Sequence, residues 1–136
     1  MAATLKLEIV TPDACVYSAD VEMVTLPGVE GEMGIFPQHV PLMTQIIPGE
    51  VIARNNGVDE CLAVGEGFVE VTPNRVAILT DMAIAAQNID EAKAEEARKR
   101  AEARLAEVTD EAEAATVRAA LERSLAQLKV KRRTHR

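Results

Sequence analysis

Tryptophan is absent from this 136-residue chain, and only one Tyr and two Phe are present. A core must therefore come from Val, Ile, Leu, Met and Ala. No aromatic platform is available for stacking nucleic-acid bases. No run of 18 apolar residues occurs, which rules out a membrane-spanning helix. The start "MAATLKLEIV" lacks the basic opening and continuous apolar stretch of a signal peptide, so the chain reads as cytoplasmic. Cys15 and Cys61 fit no metal-ligand spacing. Each follows a strand pattern closely enough to be expected as a small buried hydrophobe rather than a disulfide partner. His39 has no second histidine near it. There is no nucleophile elbow, phosphate-cradling lysine loop or HExxH pair. Asp59 and Glu60 sit beside a turn and read as a solvated face. An enzyme is not expected.

Basic residues are scarce in the first part. Residues 1–88 hold 3 Lys/Arg against 12 Asp/Glu, and residues 89–136 hold 12 against 10, so the parts carry −9 and +2. The acidic body argues against a nucleic-acid-binding role. The last eight residues, "KVKRRTHR", carry Lys129, Lys131, Arg132, Arg133 and Arg136 with no acid. This tail is expected to be exposed, facing nucleic acid, an acidic protein surface or only water.

What is present has two periods. Residues 4–84 alternate: Leu5, Leu7 and Ile9 share one face, Thr4, Lys6 and Glu8 the other. "NNG" at 55–57 suits a tight hairpin, because Asn-Gly accepts φ > 0 at both central positions. "TPNR" at 72–75 reads as another turn. Many short strands at turn-punctuated intervals predict a small β-sandwich or flattened barrel. At Asn88 the period changes. Asn88 is placed to cap a helix, with Glu91 completing a capping box. Ala94, Ala97, Ala101, Leu105 and Val108 then recur at helical spacing, with Glu95–Lys99 and Glu96–Arg100 opposite them. Asp110 starts a second helix whose stripe is Ala114, Val117, Leu121, Leu125 and Leu128. The architecture is thus α+β, with a sandwich over 1–87 and an antiparallel two-helix hairpin over 88–136. A buried Leu contributes about 1.5–3 kcal/mol and an alanine methyl well under that. The alanine-rich hairpin is therefore expected to be loosely committed to where it packs; permanent docking on the strands is the other reading.

The stretch "GVEGEMGIFPQHVPLMTQI" (28–46) sets three Gly and two Pro among apolar side chains. Such an irregular edge suits partner docking, or else an internal crossover between two layers.

The sequence resembles the epsilon subunit of the bacterial rotary ATP synthase over nearly its whole length. The resemblance lies in "VEMVTLPGVEGEMGIFPQHVPLMT" (21–44), "GFVEV" (67–71), "VAILTDMAI" (76–84) and "NIDEAKAEEARKRAE" (88–102). It implies a ten-stranded sandwich that joins the gamma subunit to the membrane c-ring at the cytoplasmic face of the inner (plasma) membrane, without inserting into it. Gly31, Glu32 and Met33 then face the c-ring, with His39 close to that surface at the gamma boundary. The hairpin would fold on the sandwich or extend toward the catalytic beta subunits, where its basic tail would grip an acidic loop and block ATP hydrolysis. Some members bind ATP at the folded hairpin through I/L-D-x-x-R-A and arginines on the second helix. Here the corresponding residues are Ile89, Asp90, Lys93, Ala94 and Arg123. Lys93 replaces the usual Arg, losing its planar fork, and Gln127 stands where strong binders have another Arg. The resemblance thus implies weak regulatory ATP at most, and no other cofactor. A module whose main role is ATP sensing is the alternative.

Overall fold

The alternating segments fold as ten strands. The computed structural model describes residues 3–134. The strands are β1 (Leu5–Val10), β2 (Cys15–Val21), β3 (Met23–Gly28), β4 (Gly31–Ile35), β5 (Leu42–Ile46), β6 (Gly49–Asn55), β7 (Val58–Val64), β8 (Gly67–Thr72), β9 (Arg75–Thr80) and β10 (Ala83–Ala85). Their hydrogen-bonded order is β10-β7-β6-β3-β5-β8-β9-β1-β2, with β4 on β3. All pairs are antiparallel except β1 with β9.

The single link between β3 and β5 is the pair Gly28–Ile46. There the ribbon changes layer. A Cβ at Gly28 would lie 2.8 Å from both the Gly31 carbonyl oxygen and Met33 Sδ, so only glycine fits this crossing. The layers β10-β7-β6-β3-β4 and β5-β8-β9-β1-β2 close over one aliphatic core. It includes Leu7, Ile9, Val24, Leu26, Val51, Leu62, Val69 and Ile78, all almost fully buried. At the far margin Tyr17 of β2 lies near Glu60 of β7. Burial first, then that carboxylate, pushes the Tyr17 hydroxyl above its ordinary pKa.

The β6–β7 turn takes the expected form: Asn56 has φ 54° and Gly57 φ 75°. The helix start differs from expectation. Residues Ala86–Asn88 form a short 3-10 turn, and Ile89 continues in extended conformation with its side chain buried. That anchoring delays the helix. The cap is Asp90, not Asn88, and its Oδ1 accepts from the Lys93 amide at 3.1 Å. Helix α1 spans Glu91–Glu107 and α2 Glu111–Thr134. Asp110 caps α2 as expected, accepting from the Ala112 amide at 2.9 Å. The predicted Glu–Lys and Glu–Arg pairs give way to Arg98, whose fork reaches both Glu95 and Glu102.

Leu125 also departs from its predicted stripe and is 45% exposed. Helix α2 packs on two surfaces, α1 and the outer face of β6 and β7. The second contact buries Ala126 and Val130, with Ala63, Ala86 and Ile89, beside half-buried Cys61, Met82 and Ile84. A stripe drawn for one face misses this. Cys15 is exposed, contrary to expectation, because β2 is an edge strand; Cys61 is half-buried.

Two glycines separate strain from collision. Gly57→Ala has open space but must hold φ +75°, and should lose about 1–2 kcal/mol. At Gly67 an added Cβ would stand 1.9 Å from the Leu79 carbonyl oxygen, so Gly67→Ala should force backbone movement and cost more. Urea unfolding of both variants checks the order; equal or reversed losses would contradict it.

Candidate functional site

The two layers differ in what covers them. The outer face of β6 and β7 lies under α2. The outer face of β5, β8 and β9 is open. There the register sets Gln45 beside Phe68 and Phe68 beside Leu79. Phe68 is 53% exposed, Leu79 54% and Met43 68%. These three large apolar side chains share one open sheet face. The sequence reading missed it, although "GFVEV" holds the signal: Phe68 is in the outward phase of an otherwise ordinary strand.

The stretch 28–46 runs from the end of β3 through β4 of the other layer and enters this one as β5. Val29 and Glu30 join β3 to β4, and the Val29 amide donates to the Gln45 carbonyl at 3.1 Å. Gly31, with φ +133°, and Glu32 are exposed on this turn. Met33 points the other way. It is half-buried, resting on the core and beside Gly28. His39 lies in the loop after β4, where the Gln38 amide donates to the Pro73 carbonyl at 2.6 Å. It is half-buried, with Nδ1 2.6 Å from the Val40 carbonyl oxygen. The structure therefore separates residues that the sequence reading placed close together. Gly31 and Glu32 sit at one end of β4 and His39 in the loop beyond the other, separated by a strand about 13 Å long at about 3.3 Å per residue. Phe36 and Val40 flank His39 and are 58% and 70% exposed, so that end is apolar too.

The five residues matched to a nucleotide motif are dispersed in role. Ile89 and Ala94 are buried. Asp90 uses its carboxylate as the α1 cap, and Lys93 is exposed. Arg123 turns toward the sandwich, Nη1 donating to Asp81 Oδ2 at 3.4 Å. Gln127 beside it reaches Met82 Sδ at 3.1 Å.

The basic tail is not an idle fringe. Lys131 Nζ donates to the Ala86 carbonyl at 3.2 Å. Arg132 spans α1, with Nε 3.0 Å from Glu91 Oε1 and Nη2 2.9 Å from Glu95 Oε2. Arg98 first, and Arg132 after it, hold the Glu95 carboxyl below its ordinary range. The Arg133 guanidinium meets the Glu50 carboxylate on the β6 face. Lys129 is exposed, and Arg136 lies outside the described residues. Lys129, Arg132 and Arg133 are exposed, as expected, but Arg132 and Arg133 are paired with this chain's own carboxylates rather than facing only water. The final turn of α2 ends where carboxylates of β6 and α1 converge.

Among the described residues no helix is long and apolar enough to cross a membrane, and no cluster of His, Cys, Asp or Glu is placed to hold a metal.

The chain resembles known proteins along its whole length. Residues 4–86 match the beta-sandwich domain, and residues 87–132 the long alpha-helix domain, of the ATP synthase delta/epsilon chain. The "ATP synthase epsilon chain" of Laribacter hongkongensis is 42% identical over 98% of this chain and 99% of its own. That of Dehalococcoides mccartyi is 47% identical, with coverage of 98% and 97%. A chain of the Euglena gracilis mitochondrial ATP synthase, solved with OSCP, F1 and c-ring, superposes with a TM-score of 0.78 at 27% identity, covering 93% of this chain and 80% of that one. With a match to each of its two parts and relatives this similar end to end, the chain belongs to the delta/epsilon family of ATP synthase chains, among the epsilon chains.

Proposed function

We propose that this chain is a non-catalytic central-stalk subunit of an ion-translocating ATP synthase, peripheral at the cytoplasmic face of the membrane, and that its hairpin restrains ATP hydrolysis. The observation that carries this reading is the asymmetry of the sandwich. One layer is occupied by the chain's own hairpin, and the other presents Met43, Phe68 and Leu79 to a partner. We assign that open face, with His39 and its apolar neighbours at one end, to the gamma subunit. The turn carrying Gly31 and Glu32 is assigned to the c-ring, with Met33 supporting it from within. The neighbouring solved assembly, which contains the c-ring, supports this assignment.

The hairpin fits a movable brake. Its contact with the sandwich is small-sided, and Ile89 and Val130 are its largest buried side chains. Each contributes about 1.5–3 kcal/mol, so a few kcal/mol of competing contacts suffices to displace it. Extended, it would reach the catalytic beta subunits transiently. ATP is at most a weak regulatory ligand, since Lys93 supplies charge without a bidentate fork and Gln127 is neutral.

Three outcomes are expected. A chain ending at residue 87 should fold and capture gamma in a pull-down, whereas Phe68→Asp with Leu79→Asp in the full chain should abolish capture; retained capture by the double variant would remove the face from the interface. Deleting residues 88–136 should raise ATP hydrolysis by the assembled enzyme, and an unchanged rate would leave a coupling subunit with no brake. Calorimetry should detect little or no ATP binding to the isolated chain. Lys93→Arg with Gln127→Arg should tighten binding, at about 1.5–3 kcal/mol for each charge-assisted hydrogen bond to phosphate. Micromolar affinity in the unaltered chain would favour the ATP-sensing reading instead.

A further inference from the structure

The side chain of Glu50 is 5% exposed, yet it sits on the outer face of β6 rather than in the core. Helix α2 lies over that face. Glu50 Oε1 meets Arg133, and its Oε2 is buried with no hydrogen-bond partner. A carboxylate in this position is tolerable only while its cation stays in place. Removal of the hairpin would return Glu50 to water, so the pair couples hairpin position to charge. Arg132 braces α1 against α2 through Glu91 and Glu95, and Lys131 ties the same turn to the Ala86 carbonyl. These cations stand on successive residues of one helical turn, each engaged by a different element.

We propose that this turn is an ionic latch: Arg133 closed on the buried Glu50 carboxylate, backed by Lys131 and Arg132, sets how firmly the hairpin is held on the sandwich. The inference rests on the proposed movable hairpin and specifies its control. Cations spent on the latch are not available to a partner while the hairpin is folded. An acidic protein surface that captures them therefore opens the latch by competition, and salt weakens it by screening. Basic charge at the end of α2 acts first as a hold on the folded state and only after release as a grip elsewhere.

Cys61 reports on the latch. It faces α2, packed beside Ala63, Ala126 and Val130. Burial first, then Glu50, pushes its thiol above the ordinary pKa, while Arg133 pulls it down. Loss of Arg133 without movement would therefore slow reaction with a thiol reagent, and opening would speed it. The two effects have opposite signs. In the full chain carrying Cys15→Ser, reaction of Cys61 with a chromogenic disulfide should be at least tenfold faster in Arg133→Ala. Arg133→Lys should fall between, and 0.5 M NaCl should accelerate the parent more than Arg133→Ala. Amide exchange should show lost protection in α2 with the sandwich strands unchanged. An unchanged or slower Cys61 overturns the latch. So does protection lost throughout the sandwich, which would make the pair a support of the whole fold. Hydrolysis by the assembled enzyme is read separately. A faster Cys61 together with an inert 88–136 deletion keeps the latch and removes the brake.

Discussion

Closure of two sheet layers over one aliphatic core is the constraint on which the rest depends. With so few aromatics, that core is tiled by Leu, Ile, Val and Ala side chains drawn from nine strands, Ile35 of β4 among them. Packing to interior density then requires the layers to approach closely everywhere. The crossing at Gly28, too tight for any Cβ, makes that possible. It also separates the outer faces, so that one layer carries the hairpin while the other stays open.

The hairpin is attached by less apolar burial than closes the sandwich, with ion pairs added to it. Its contact is built from Ala63, Ala86 and Ala126 with Ile89 and Val130, and α1 adds mainly alanines against α2. Burial of this type is modest, and it is supplemented by arginine pairs at the surface and one acid beneath α2. Breaking a fully buried pair by removing one partner costs about 3–5 kcal/mol. Here only Glu50 is buried and Arg133 is half exposed, so the cost is lower and tunable by solvent. A joint of this strength is consistent with the proposed movable hairpin, whereas the aliphatic core is far more extensively buried.

The sandwich was legible because its cues are local. Leu5, Leu7 and Ile9 alternate, Asn56-Gly57 demand a left-handed turn, and the change of period near residue 88 separates strands from helices. Less was legible where a residue answers to two neighbours at once. Leu125 lies on a plausible helical stripe but is exposed, because α2 turns Ala126 and Val130 to the sheet. Asn88 is a good cap by type, but Ile89 is drawn into the cluster beneath α2, and the helix waits for Asp90.

The candidate sites divide in the same way. The sequence alone determined fold class, the two periods, the family likeness and the charge inventory, since each depends on residue type and short-range spacing. It could not say that His39 and Glu32 fall at opposite ends of one strand, or that Phe68 and Leu79 share an uncovered face. Nor could it say that Arg133 would find Glu50, 83 residues earlier. Those relations are set by strand register and by which face of α2 meets β6 and β7. Only the closed tertiary structure decides them, because each requires chain segments far apart in sequence to be brought together by the core they share.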